Sequence, residues 1–221
     1  MSTDRRRWMR AVATTLFAAT AFVGAASADL AQSVQEDLSI AVLNDRAAEV
    51  KRMLAAGADP NMVDRNGDPL IVIAARANSV AALDALLAAR ANVNARTRHG
   101  DTALMFAALN GRLDIAKKLR ANGADVRQPG WNALIYAAAG GQDDMVRYLL
   151  AEGGDINAVA ANGMTALMMA AHEGKASTVD LLLSRGADAN LRNQDGKSAL
   201  DIARRGNEKA MVERLQRSGA R

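Results

Sequence analysis

An all-α solenoid of about six helix–turn–helix repeats, joined by short hairpin loops, is the fold class this sequence predicts, and three observations carry it. The segments Thr102-Ala-Leu-Met-Phe-Ala-Ala108, Asn132-Ala-Leu-Ile-Tyr-Ala-Ala138, Thr165-Ala-Leu-Met-Met-Ala-Ala171 and Ser198-Ala-Leu-Asp-Ile-Ala-Arg204 are versions of one phrase, and Pro69-Leu-Ile-Val-Ile-Ala-Ala75 is a looser one. Their central residues Ile71, Leu104, Leu134, Leu167 and Leu200 are spaced 33, 30, 33 and 33 apart. A second landmark, at Gly57, Arg90, Gly123, Gly153, Gly186 and Gly219, keeps the same period and shares the same three-residue deletion. Fixed periods of this length mark stacked supersecondary units. The third observation is composition: half the residues are hydrophobic and only 3% aromatic. A core of Ala, Leu, Val and Met suits closely packed helices better than a β-sandwich.

Each repeat can be justified residue by residue, as the one near Asn162 illustrates. Gly163 permits a turn that a β-carbon disfavours. Thr165 is placed to accept a hydrogen bond from an orphan N–H as the N-cap of a short helix, Ala166 to His172. Leu167, Ala170 and Ala171 face inward at i, i+3 and i+4. Gly174 ends this helix. A second helix, about Ser177 to Arg185, presents Val179, Leu182 and Leu183, and Gly186 supplies a left-handed C-cap. One such unit cannot bury its apolar face, so stacking is required and the terminal units differ. The first unit keeps Leu38, Ala41, Val50, Leu54 and Gly57 without a recognisable hairpin. The last carries Arg204, Arg205, Lys209, Arg214 and Gln216, a polar end for the stack.

Gly163-Met-Thr-Ala-Leu-Met-Met-Ala170, Leu181-Leu-Leu183 and Gly186-Ala-Asp-Ala-Asn190 resemble the ankyrin-repeat signature, Gly-x-Thr-Pro-Leu-His-x-Ala, a Leu-rich helix, then Gly-Ala-Asp-x-Asn. The resemblance runs from about Val34 to Arg221, with repeats at about 34–63, 64–96, 97–126, 127–159, 160–192 and 193–221. Two departures recur: Ala replaces the Pro, and Met, Ile or Asp replaces the His. Packing by Met105, Ile135 and Met168 is expected to take the place of the histidine's hydrogen bond.

The N-terminus reads as an address. Arg5-Arg6-Arg7-Trp8-Met9-Arg10 is a basic n-region, Ala11 to Ala25 a short apolar stretch, and Ala26-Ser27-Ala28 a small-x-small cleavage site. A signal peptide over 1–28 is expected, cleaved between Ala28 and Asp29, with a short linker over 29–33. The apolar stretch falls short of the roughly twenty residues that span a bilayer, so no stable membrane span is expected after processing. The expected location is the bacterial periplasm by the general secretory route; the arginine run also resembles a twin-arginine signal. The absence of cysteine excludes disulfides, thiolate metal sites and a cysteine nucleophile.

The basic pI, about 9.7, does not signal nucleic acid. Residues 1–28 hold four arginines and one aspartate, so three of the four net positive charges lie there and the remainder carries one. Chemistry is equally sparse. His99 and His172 sit about two repeats apart, roughly 20 Å, too far to act together. Gly140-Gly141 lacks the context of a phosphate loop, and Asp143, Asp144 and Asp155 form no calcium loop. No enzyme activity, metal or cofactor is expected.

The resemblance instead implies a monomer that binds another protein through hairpin tips and the exposed edge of the first helices, the concave side. Carried over, those positions include Arg65, Asn66, Asp68, Arg76, Arg96, Arg98, His99, Asp101, Gln128, Trp131, Met164, His172 and Glu173. Arg65, Arg76, Arg96, Arg98 and His99 would make half the groove basic, which suggests an acidic partner surface. Trp131 and Met164, on adjacent hairpins, would form an apolar anchor; alternatively Trp131 folds down to fill the gap left by the three-residue deletion. The Arg127-Gln-Pro-Gly-Trp131 connection, three residues short, is expected to indent the surface there. The role implied is a periplasmic adaptor or scaffold; the alternatives are a secreted effector that engages host proteins, or an inhibitor or immunity-type protein for a periplasmic enzyme.

Overall fold

The structure, a computed structural model, describes residues 33–206 and 208–220. The expected signal peptide and its Ala28–Asp29 cleavage site lie outside the described residues. The described residues form six helix pairs: α1 (33–43) with α2 (Ala47–Ala55), α3 (Leu70–Ala77) with α4 (Val80–Ala88), and α5 (Ala103–Leu109) with α6 (Leu113–Ala121). They continue as α7 (Ala133–Gly140) with α8 (Asp143–Ala151), α9 (Ala166–His172) with α10 (Ala176–Ser184), and α11 (Ala199–Arg205) with α12 (Lys209–Arg217). Inner helices α3, α5, α7, α9 and α11 pack in series, and each of the five also packs on its own outer helix.

The short inner helices begin where a side chain satisfies an orphan N–H. Thr165 Oγ1 accepts from the Met168 N–H at 3.2 Å and Asn132 Oδ1 from the Ile135 N–H at 3.1 Å. Such caps contribute about 1 kcal/mol each. Ser198 and Asp201 cap reciprocally, with the Ser198 N–H donating to the Asp201 carboxylate at 3.1 Å. That backbone bond, aided by Arg192, holds Asp201 below the usual carboxylate range. α3 begins after Pro69, which fixes an extended φ of −61° but offers no side-chain cap.

Of the expected inward residues, Leu167, Ala170, Ala171, Val179 and Leu182 are buried, as are Leu38 and Val50 of the first pair, whereas Leu183 is only partly buried and Leu181 takes the buried place. Burying a leucine side chain contributes about 1.5–3 kcal/mol, so the stack rests on these rows. Met105, Ile135 and Met168, in the family's histidine position, are each 1% exposed, as the apolar substitution requires. In the last repeat Asp201 takes that position and serves the cap instead.

Two ladders tie neighbouring repeats. At the hairpin bases Asn61 accepts from the Asn92 N–H at 2.7 Å, Asn94 from the Asp125 N–H at 2.9 Å, and Asn157 from the Asp188 N–H at 2.9 Å. The shortened repeat has Arg127 in this place; its Nε donates to the Gly153 carbonyl at 2.9 Å, as Asn94 Nδ2 does to Gly123 at 3.0 Å. On the outer layer Lys118 pairs with Asp84 at 2.6 Å and Arg120 with Glu152 at 3.0 Å. These two cations of α6 are therefore cross-repeat contacts rather than a merely solvated face, though exposed pairs of this kind add only about 0–1 kcal/mol.

Candidate partner-binding face

Four residues after each inner-helix cap, the same register point recurs down the stack: Ile73, Phe106, Tyr136, Met169 and Ile202, with Ile40 in the matching place on α1. A helix turns these positions away from the outer layer, so they form a continuous apolar stripe on the concave side. Ile73 is 3% exposed and Ile40 49%, while the other four are partly exposed. One turn further along each helix stand Leu43, Arg76, Leu109, Ala139, His172 and Arg205, the edge of the same face.

The middle of the stripe is aromatic. Trp131 meets Tyr136 edge to face with ring centroids 6.1 Å apart, and Tyr136 meets Phe106 likewise at 6.5 Å. The Arg76 guanidinium lies over the Phe106 ring at 5.5 Å, which continues the run into the second repeat. The Tyr136 hydroxyl donates to Asp101 at 2.5 Å. Burial, that hydrogen bond and the nearby carboxylate push the Tyr136 pKa well above the ordinary tyrosine value.

Three recesses open along this face. One of about 410 Å³ lies among Ile40, Leu43, Arg65, Ile73 and Arg76. The next, about 310 Å³, lies among Arg76, Arg98, His99, Asp101 and Phe106. The largest, about 850 Å³, runs between Met169, His172, Lys197, Ile202 and Arg205. Cavities of this size hold peptide side chains comfortably.

The residues expected to bind a partner fare unevenly. Arg65, Arg76, Arg96, Arg98, His99 and His172 are all exposed. Their charge is largely matched, however. Arg65 pairs with Glu36 at 2.8 Å and Arg76 with Asp68 at 2.8 Å, while Asp64 and Asp101 stand in the same two recesses. Arg96 donates to the Gly100 carbonyl of its own hairpin at 2.8 Å, and Arg98 reaches across to the Asn66 carbonyl. The basic half-groove thus narrows to one hairpin tip, at Arg96, Arg98 and His99. His172 pairs with Glu173 at 2.9 Å, apart from that tip in the largest recess.

Met164 corrects the expected anchor. It is only 7% exposed, because the next hairpin closes over it: Gln194 N–H donates to the Asn162 carbonyl at 3.1 Å, and Asn193 Nδ2 approaches the Met164 sulfur at 3.7 Å. Asp68 and Gln128 are buried too, at 9% and 6% exposure. Trp131 is half-buried against Tyr136. The three-residue deletion does leave a recess, about 450 Å³ between Val126, Gln128, Pro129 and Val159, but Trp131 does not line it.

A family model described as ankyrin repeats (3 copies) matches residues 38–130 and 134–221. The chain belongs to the ankyrin-repeat family. The two matched blocks part at 131–133, where the shortened hairpin of this ankyrin-repeat protein meets α7. No curated protein matches the chain. Ankyrin repeats are generally protein-interaction modules, and the family is typically non-catalytic. Among the described residues no cluster of three His, Asp or Glu side chains is arranged to hold a metal, and no helix is long and apolar enough to cross a membrane.

Sequence reasoning missed Phe106, Tyr136, Met169 and Ile202 as site residues. Their signal was present: each lies two residues beyond the central apolar residue used to find the period.

Proposed function

We propose that this chain is a non-enzymatic binding adaptor of the bacterial periplasm, engaging one protein partner along the concave face of its stack. The observation that carries the reading is the stripe itself. A row of large apolar side chains at one register runs through six successive units and is left partly open in every unit but the second, where Ile73 is buried. Interfaces draw their energy from aromatic and arginine anchors of the kind gathered at Phe106, Trp131, Tyr136 and Arg76. The basic n-region, short apolar stretch and Ala26-Ser27-Ala28 site support export.

Photocrosslinking in the periplasm tests the reading. A benzophenone side chain at Leu109 or Ala139 is expected to give a discrete adduct, and one at Lys117 on the outer layer is not. Adducts from Lys117 alone would place the interface on the opposite face and refute the proposal.

A further inference from the structure

What the three-residue deletion removed from the fourth unit can be read from its neighbours. In the intact hairpins the corresponding residues are the rising arm of the loop, centred on Asp64, Thr97, Ala160 and Asn193. Each central residue is buried or half-buried and the residues on either side of it are exposed, the alternation of an extended strand. Its N–H donates to the carbonyl of the residue just before the inner helix's cap position: Asp64 to Asp68 at 2.9 Å, Thr97 to Asp101 at 2.9 Å, Ala160 to Met164 at 2.8 Å and Asn193 to Lys197 at 3.0 Å. Trp131 holds that place before the Asn132 cap, and among the described residues no backbone N–H donates to its carbonyl. Gly130 and Asn132, on either side of Trp131, form part of the wall of the recess of about 450 Å³ that the missing arm leaves.

A polar group without a partner lies in the same wall. Gln128 stands where the other units carry Met62, Ala95, Ala158 and Leu191, two places before the centre of the arm and so on the same face as its inward side chain. It is 6% exposed, and its Oε1 has no hydrogen-bond partner among the described residues. A buried acceptor with no donor is costly, and any of the apolar residues used elsewhere would avoid it. The terminal torsion of a glutamine is broad, so the oxygen can turn to the recess that its side chain lines.

We infer that this recess receives an extended segment of a partner protein, three residues of which take the place of the deleted arm. The central residue donates its N–H to the Trp131 carbonyl and carries a small inward side chain, as the four intact arms do. That side chain is threonine or serine, whose hydroxyl supplies the donor that Gln128 Oε1 lacks. None of the concave-stripe side chains lines the recess, so this contact is separate from that face.

Amide NMR titration of the isotope-labelled full chain with acetyl-Gly-Val-Thr-Ala-Gly-amide tests this. Saturable shifts are expected at Val126, Gly130, Asn132 and Val159, with half-saturation at or below about 1 mM. Valine in place of the threonine keeps the shape without the hydroxyl and should bind about tenfold more weakly, and N-methylation of the threonine nitrogen should weaken binding by a similar factor. Gln128→Leu, which supplies the apolar residue seen at Leu191, should erase the difference between the threonine and valine peptides. Inserting Val-Ala-Ala between Gln128 and Pro129 rebuilds the arm in the chain itself and should abolish binding; if that variant misfolds, Gln128→Leu decides. No saturable shift up to about 5 mM, equal affinity of the threonine peptide and either modified one, or a threonine preference that survives in Gln128→Leu overturns the inference. Shifts confined to Phe106, Tyr136 and Met169 also overturn it while the concave-face reading stands.

Discussion

Arg90 occupies the slot that glycine fills in the other repeats, just past the C-cap of α4, and its backbone is left-handed at φ 60°. Gly57, Gly123, Gly153, Gly186 and Gly219 hold the same slot at φ between 86° and 99°. A β-carbon in this region costs about 1–2 kcal/mol. Replacing it with glycine forfeits about 0.5–1 kcal/mol through the greater freedom of the unfolded chain. The Arg90 side chain is exposed, and among the described residues it takes part in no ion pair, so little is lost with it. Arg90→Gly is therefore expected to stabilise the chain by about 0.5–1 kcal/mol, near 1–4 °C in melting temperature for a protein of this size. Urea denaturation followed by circular dichroism should show a raised midpoint at unchanged slope. Arg90→Ala separates the backbone from the guanidinium: it keeps the β-carbon and should leave the midpoint within about 0.3 kcal/mol. A lowered midpoint for glycine, or an equal rise for alanine, would refute the strain argument.

Two glycines with similar backbones should respond very differently. Gly163→Ala places a β-carbon 2.8 Å from the Gln194 backbone nitrogen and 2.9 Å from the Asn193 Cα, whereas Gly123→Ala meets nothing within 4 Å. The first should cost at least about 3 kcal/mol and the second about 1 kcal/mol in the same urea assay. Because the Tyr136 pKa is raised on folding, the native state holds its proton where the unfolded state releases it. Stability is therefore full below the ordinary tyrosine pKa of about 10 and falls as pH rises beyond it, and Tyr136→Phe should flatten that decline. Intact-mass measurement of protein recovered from the periplasm should show a chain starting at Asp29; full-length protein confined to the cytosol would argue against export.

The period was legible because every repeat must solve one packing problem with one set of small aliphatic residues. Thr165, Gly163 and Gly186 announced their turns for the same reason: cap and left-handed positions admit few residue types. Charge and exposure at the groove were less legible, since they depend on partners from other repeats. Arg65 looked free until Glu36, 29 residues earlier, proved to face it. Met164 looked like an anchor because nothing in its own hairpin covers it; the cover comes from Asn193 and Gln194 of the next. The stripe, in contrast, was written at fixed offsets and required only comparison of units at the position beyond the buried one.

The shortened connection into the fourth unit breaks the asparagine ladder, yet α5 and α7, the inner helices on either side of it, share the most extensive contact of any helix pair described. Gly154 belongs to this junction, since a β-carbon there would meet the Leu149 carbonyl oxygen at 2.9 Å and Val126 Cγ1 at 3.2 Å. Added to this are the Phe106, Tyr136 and Trp131 brace and the hydroxyl bond to Asp101. In mechanical terms the solenoid is a spring whose middle coil has been welded. A load applied along the axis is then expected to be taken up by the coils on either side, with curvature changing at the two ends while the aromatic centre keeps its shape.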